Sequence, residues 1–188
     1  MKQLISVIFL SIILLAFPLG SARSGWDPNE SQTAKDQNIQ DHEVAQAIAD
    51  FKNSDPSMEV FFQKAYGFAI FPSVGKGGIG IGGAYGKGKV YSQGRLVGTT
   101  SLTQFTLGLQ LGGQAYREII FFEDKVALDL FKYGKFEFGA QASAVAVTAG
   151  VSADSDYSGG VAVFTLAKSG LMFEASLGGQ KFSFEPVN

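Results

Sequence analysis

The chain has 188 residues, with 15 Lys and Arg against 17 Asp and Glu, one histidine and no cysteine. That inventory excludes disulfide staples, thiolate metal sites, cysteine nucleophiles and any triad or metal centre needing more than one histidine. Only 17% of the residues are charged, while 17 are phenylalanine and 24 glycine, so stability must rest on burial.

The chain opens with Lys2 and a fourteen-residue apolar run, Leu4 to Phe17, broken by Pro18. Gly20-Ser21-Ala22 then supplies small residues at a cleavage position, which predicts a secretory signal peptide over 1–22. The run is short of the ~20 residues of a spanning helix; an uncleaved anchor is the alternative. Residues 23–40 are polar and aperiodic, which predicts a flexible linker, with one domain over 41–188. Val44, Ala47, Ile48 and Phe51 at helical spacing behind Asp41 as cap predict a helix closed by Pro56. A second short helix starts at Ser57.

From Tyr66 the period becomes two. Strands are predicted at "YGFAIFPS", closed by Pro72, at "GIGIGGAYGKGKVY", and at 104–111, where Phe105, Leu107, Leu109 and Leu111 share the face expected to be buried. "QAYREIIFF" is a further strand and "EDKVALDLFKYG" a helix ended by Gly134. Alternation from Phe136 to Ala144, a turn at "ADSDYSGG" and three closing strands complete the chain. The fold class expected is α+β: N-terminal helices followed by a strongly curved, mainly antiparallel sheet or partial barrel.

Residues 74–94 hold nine glycines and three lysines. Gly75 to Gly80 matches G-x-G-x-x-G, but a dinucleotide loop must open a helix, and "IGIGGAYGKGKVY" cannot form one. Gly83 to Lys89 fits G-x-x-x-x-G-K, yet Val90 stands where Ser or Thr should bind magnesium. The glycines lack a three-residue period, and Ile79, Ile81, Tyr85 and Tyr91 are too apolar for a linker. Glycine-punctuated β-structure remains. On a strand, Tyr85, Lys87, Lys89 and Tyr91 share one face. Such a stripe suits a membrane–water interface with anionic headgroups, or equally an edge strand guarded by lysines.

Charge is unevenly placed. Trp26 to Glu59 holds eight carboxylates, whereas Val60 to Arg117 holds Lys64, Lys76, Lys87, Lys89, Arg95 and Arg117 and no acid. His42 reads as a solvated helix residue, Glu123-Asp124 as a helix start, and Asp154 with Asp156 as turn chemistry without a calcium loop. No catalytic, metal or cofactor constellation is expected.

Three ordered blocks, "AYGFAIFPSVGKGGIGIGGAYGKGKVY", "LTQFTLGLQLGGQAYREIIFF" and "SGLMFEASLGGQKF", resemble the SYLF lipid-binding domain family, also called the yeast actin-regulator-type domain. The similarity runs from about residue 43 to 184. Eukaryotic members bind phosphoinositides and some bind actin; the resemblance here implies an exported, bacterial-type member. The basic amphipathic helix preceding some members has no counterpart, because this helix carries Asp41, Glu43 and Asp50. What the resemblance carries over is the Gly75–Gly88 block with its lysines and the Gln110–Gln114 stretch, whose glutamines would line a pocket.

The expected function is therefore non-enzymatic association with anionic phospholipid, without cofactor or nucleic acid, in the periplasm or at an envelope membrane. Lys76, Lys87, Lys89 and Arg95 would contact phosphate, with Tyr85 and Tyr91 at the interface. The alternatives are a small outer-membrane β-barrel and a periplasmic scaffold that binds a protein partner through a sheet edge.

Overall fold

A computed structural model describes residues 28–79, 81–107, 113–136, 138, 143–148, 150–169, 175–176 and 178–187. The expected signal peptide lies outside them. Helix α1 (Pro28–Ser54), a 3-10 turn (Pro56–Met58) and α2 (Glu59–Lys64) come first. Four strands follow, β1 (Gly67–Ile79), β2 (Ile81–Ser92), β3 (Arg95–Leu107) and β4 (Gly113–Phe122), then α3 (Lys125–Lys132). The remainder is β5 (Ser143–Ala146), a 3-10 turn (Val151–Asp154), β6 (Val161–Ser169), β7 (Ala175–Ser176) and β8 (Gln180–Pro186).

The strands line up in the order β7-β5-β6-β4-β1-β2-β3-β8. Every ladder is antiparallel except β5 with β6. The class is α+β with a mainly antiparallel sheet, as expected, and α3 lies between β4 and β5 rather than N-terminally. Among the described residues β7 and β8 end the sheet without pairing to each other, so it is open and no barrel closes. Among them, too, no helix is long and apolar enough to cross a membrane.

Both faces of the central strands are buried, which is why "FAIF" and "IIFF" read as unbroken apolar runs. Phe68, Ile70, Ile119, Phe121 and Phe164 face α1 and α2. There Phe61 packs on Phe164 with ring centroids 4.8 Å apart and Phe62 on Phe121 at 5.0 Å. Ala69, Phe71, Ile120 and Phe122 face the opposite layer with Leu128 and Phe131 of α3 and Phe182 and Phe184 of β8. Phe71 and Phe182 approach to 5.9 Å with two strands between theirs.

Three elements depart from the sequence reading. Helix α1 begins at Pro28, a residue suited to a first helical turn, so helix replaces the expected linker from there and Asp41 lies within the helix instead of capping it. Strand β1 runs through Pro72 to Ile79, because the register slips between Ile70 and Ser73 and the bulge accommodates a residue without an N–H. On β3 it is Leu102 and Gln104 that are buried, whereas Phe105 is 82% exposed. Gln104 turns inward and donates to the Gly178 carbonyl at 2.9 Å.

Candidate functional site

Asp55 ties the end of α1 to the 3-10 turn that precedes β6. Its carboxylate accepts from Ser57 N at 3.0 Å and caps the first 3-10 turn, and it also accepts from Ser152 N at 2.8 Å and Ser152 Oγ at 2.6 Å. Burial alone would raise its pKa, but these hydrogen bonds outweigh that and hold it far below the ordinary carboxylate range. Anchored in this way, α1 crosses one end of the β2 stripe.

Tyr85, Lys87, Lys89 and Tyr91 share the helix-side face, as their parity requires, yet α1 divides them. Tyr91 stacks on Phe68 with centroids 4.9 Å apart, and burial, then the charge of Asp41, raises its phenol pKa. Lys89 is 4% exposed and ion-paired with Asp41. Arg117 pairs likewise with Asp50, so the acidic helix neutralises two cations of the acid-free stretch. Lys89 and Tyr91 are thus withdrawn from the surface on which both were expected.

The other half stays open. Tyr85 and Lys87 are exposed and, with Gln40, Thr99, Ser101, Ser183 and Glu185, line a shallow polar depression of about 320 Å³. Its floor is ordered by hydroxyls: Ser101 Oγ and Ser183 Oγ lie 2.7 Å apart, and Ser101 N donates to Ser183 Oγ at 3.1 Å. Lys181 of β8, opposite Thr103, is exposed on the same face. An ammonium group beside several hydroxyls can hold a phosphate or another anionic oxygen group.

Lys76 and Arg95 do not join this cluster. Lys76 is paired with Ala84, whose side chain points to the inner layer, and is half-buried on the opposite face from Lys87. Arg95 pairs with Ser92 beyond the Gln93-Gly94 turn, eight positions or roughly 27 Å along β2 from Ala84. The six expected contact residues therefore do not form one patch.

The glycine segment divides by function too. A Cβ on Gly88 would stand 2.4 Å from the Ile70 carbonyl and 2.8 Å from Phe71, so β1 packs closely only over a bare backbone. A Cβ on Gly75 would meet nothing within 4 Å.

The inner layer holds a polar cluster that motif reading missed. Glu118 is fully buried and accepts from Gln180 Nε2 at 3.1 Å. Buried Thr165 lies opposite it on β6, and neither Glu118 Oε1 nor Thr165 Oγ1 has a hydrogen-bond partner among the described residues. Burial, then the Glu118 charge, raises the phenol pKa of neighbouring Tyr116, with the Gln180 hydrogen bond opposing. The lone acid inside "AYREIIFF" was the available signal. Of the glutamines expected to line a pocket, Gln110 lies outside the described residues and Gln114 is exposed.

Residues 103–186 match the Ysc84 family, described as Las17-binding protein actin regulator. The beta cell expansion factor A of Aeromonas veronii is 31% identical over 155 residues, which covers 80% of this chain and 58% of that relative. The chain thus aligns with little more than half of the relative's length. The family match takes in the second and third of the three blocks named above, and residues 103–186 carry a Ysc84 domain, the SYLF type.

Proposed function

We propose that this is an exported, non-enzymatic SYLF protein that associates with anionic phospholipid through the uncovered half of the β2 face, centred on Lys87 and Tyr85. The observation that carries this reading is the stripe itself. Helix α1 covers Lys89 and Phe68 stacks on Tyr91, whereas Tyr85 and Lys87 stay open over a hydroxyl-lined floor. Lys181 adds a second cation on that face. Each such residue near an anionic surface contributes about 1 kcal/mol, so two give association that is weak and sensitive to salt. Lys76 and Arg95 act at a distance, through the field of the acid-free stretch, rather than as direct contacts.

Co-sedimentation of the chain from Arg23 onward with phosphatidylglycerol-containing vesicles tests the reading. Binding should occur to anionic but not zwitterionic vesicles and should be lost at high salt. Failure to bind either kind from folded protein would overturn it.

A second reading has one observation in its favour. Strand β8 is a sheet edge among the described residues and can accept a partner's strand. The family description names binding to Las17, a protein partner. Capture that is indifferent to salt and to lipid would favour this scaffold role.

A further inference from the structure

Beside Tyr85 the same face carries a feature outside the cationic site. Phe105 on β3 is 82% exposed, the most exposed large apolar side chain among the described residues, and Tyr85, one row away, is 52% exposed. Among the described residues the row through Phe105 offers no side chain to cover the ring: Phe105 pairs with Gly83, Gly83 with Gly77, and Gly77 with Gly113. In the next row Tyr85 stands beside Gly75.

These glycines are not explained by the fold alone. Neither Gly75 nor Gly83 has a positive φ. A Cβ on Gly75 would meet nothing, and one on Gly83 only the Gln104 carbonyl at 3.3 Å. An aromatic pair stands over bare backbone, with Lys87 and Lys181 on the same face; Glu185, the acid of the neighbouring depression, is paired with Thr99, six residues along β3 from Phe105. Exposed rings cost free energy in water and gain it in the interfacial layer of a bilayer, where flanking ammonium groups meet headgroup phosphates. A single exposed phenylalanine is ordinary; one next to a half-exposed tyrosine, beside cations and over uncovered backbone, is a docking surface with matching charge.

We propose that Phe105, with Tyr85 beside it, is the apolar anchor that enters the interfacial layer of an anionic membrane, with Lys87 and Lys181 at the phosphate level. This rests on the lipid reading above and adds to it the residue and the face that go in. The bare glycine rows let the sheet backbone approach the headgroups without intervening side chains.

The test uses Trp26, the only tryptophan of the chain. In the full chain carrying Trp26→Phe and Phe105→Trp, emission should shift to the blue on adding phosphatidylglycerol vesicles and be quenched by lipids brominated on the acyl chain. Phe105→Ser should keep its far-ultraviolet circular dichroism and weaken vesicle partitioning roughly tenfold, the value of one buried aromatic ring. If the Phe105→Trp chain co-sediments with the vesicles but its emission does not move, the anchor is wrong and the electrostatic reading stands. If wild type binds no vesicle, both fail together. A blue shift that follows protein concentration without lipid would make the face a contact between copies and overturn the proposal.

Discussion

Glu118 of β4 and Gln180 of β8 are hydrogen-bonded at 3.1 Å although β1, β2 and β3 lie between their strands. Four strand spacings in a flat sheet would set these backbones roughly 19 Å apart, beyond the reach of the two side chains. The sheet therefore bends toward α3 and β8 without closing, and its inner layer holds a carboxyl group that makes no ion pair among the described residues.

That carboxyl makes stability depend on pH. Burial pushes Glu118 up to about 7 against an ordinary 4.5, with the Gln180 hydrogen bond opposing the rise. Between those values the folded chain holds a proton that the unfolded chain has lost. The contribution is complete below pH 4.5 and declines as pH rises through about 7. Glu118→Gln removes the titration and keeps the shape. Its melting temperature should exceed wild type at pH 8, by a difference worth up to about 3 kcal/mol, and converge with it near pH 5. Equal melting temperatures at pH 8 would contradict the buried acid.

Asp55 titrates in the opposite sense. Its depressed pKa makes its contribution present above the ordinary 3.8 and lost as pH falls below it. Asp55→Ala leaves the buried Ser152 N–H without its acceptor and uncaps the first 3-10 turn. A loss of about 2–3 kcal/mol is expected, read as a lower urea midpoint at neutral pH.

The glycines separate in one pair of variants. Gly88→Ala drives a methyl group into the Ile70 carbonyl and should cost about 2 kcal/mol or more. Gly75→Ala meets open space and should be neutral or stabilise by about 0.5 kcal/mol through the unfolded chain. Thermal melts of the two compare them directly.

Much of the architecture is legible in the residues. The apolar runs of β1 and β4, the period-two strands, α3 and the role of Pro56 all follow from local pattern, and the lysine-tyrosine stripe does lie on one face. Partners distant in sequence were not legible. The burial of Lys89 depends on Asp41, forty-eight positions away, and that of Tyr91 on Phe68 across a ladder. Phe105 was expected inside because alternation reveals two faces but not which is covered. The core takes Leu102 and Gln104 instead, and the glycines opposite leave Phe105 bare.

The division of the stripe between a covered and an open half can be tested by one comparison. Co-sedimentation with phosphatidylglycerol vesicles at low salt should be compared for wild type, Lys87→Glu with Lys181→Glu, and Lys89→Gln, each confirmed folded. The double reversal should abolish binding while Lys89→Gln retains it. Equal binding by all three would place the lipid contact elsewhere on the molecule.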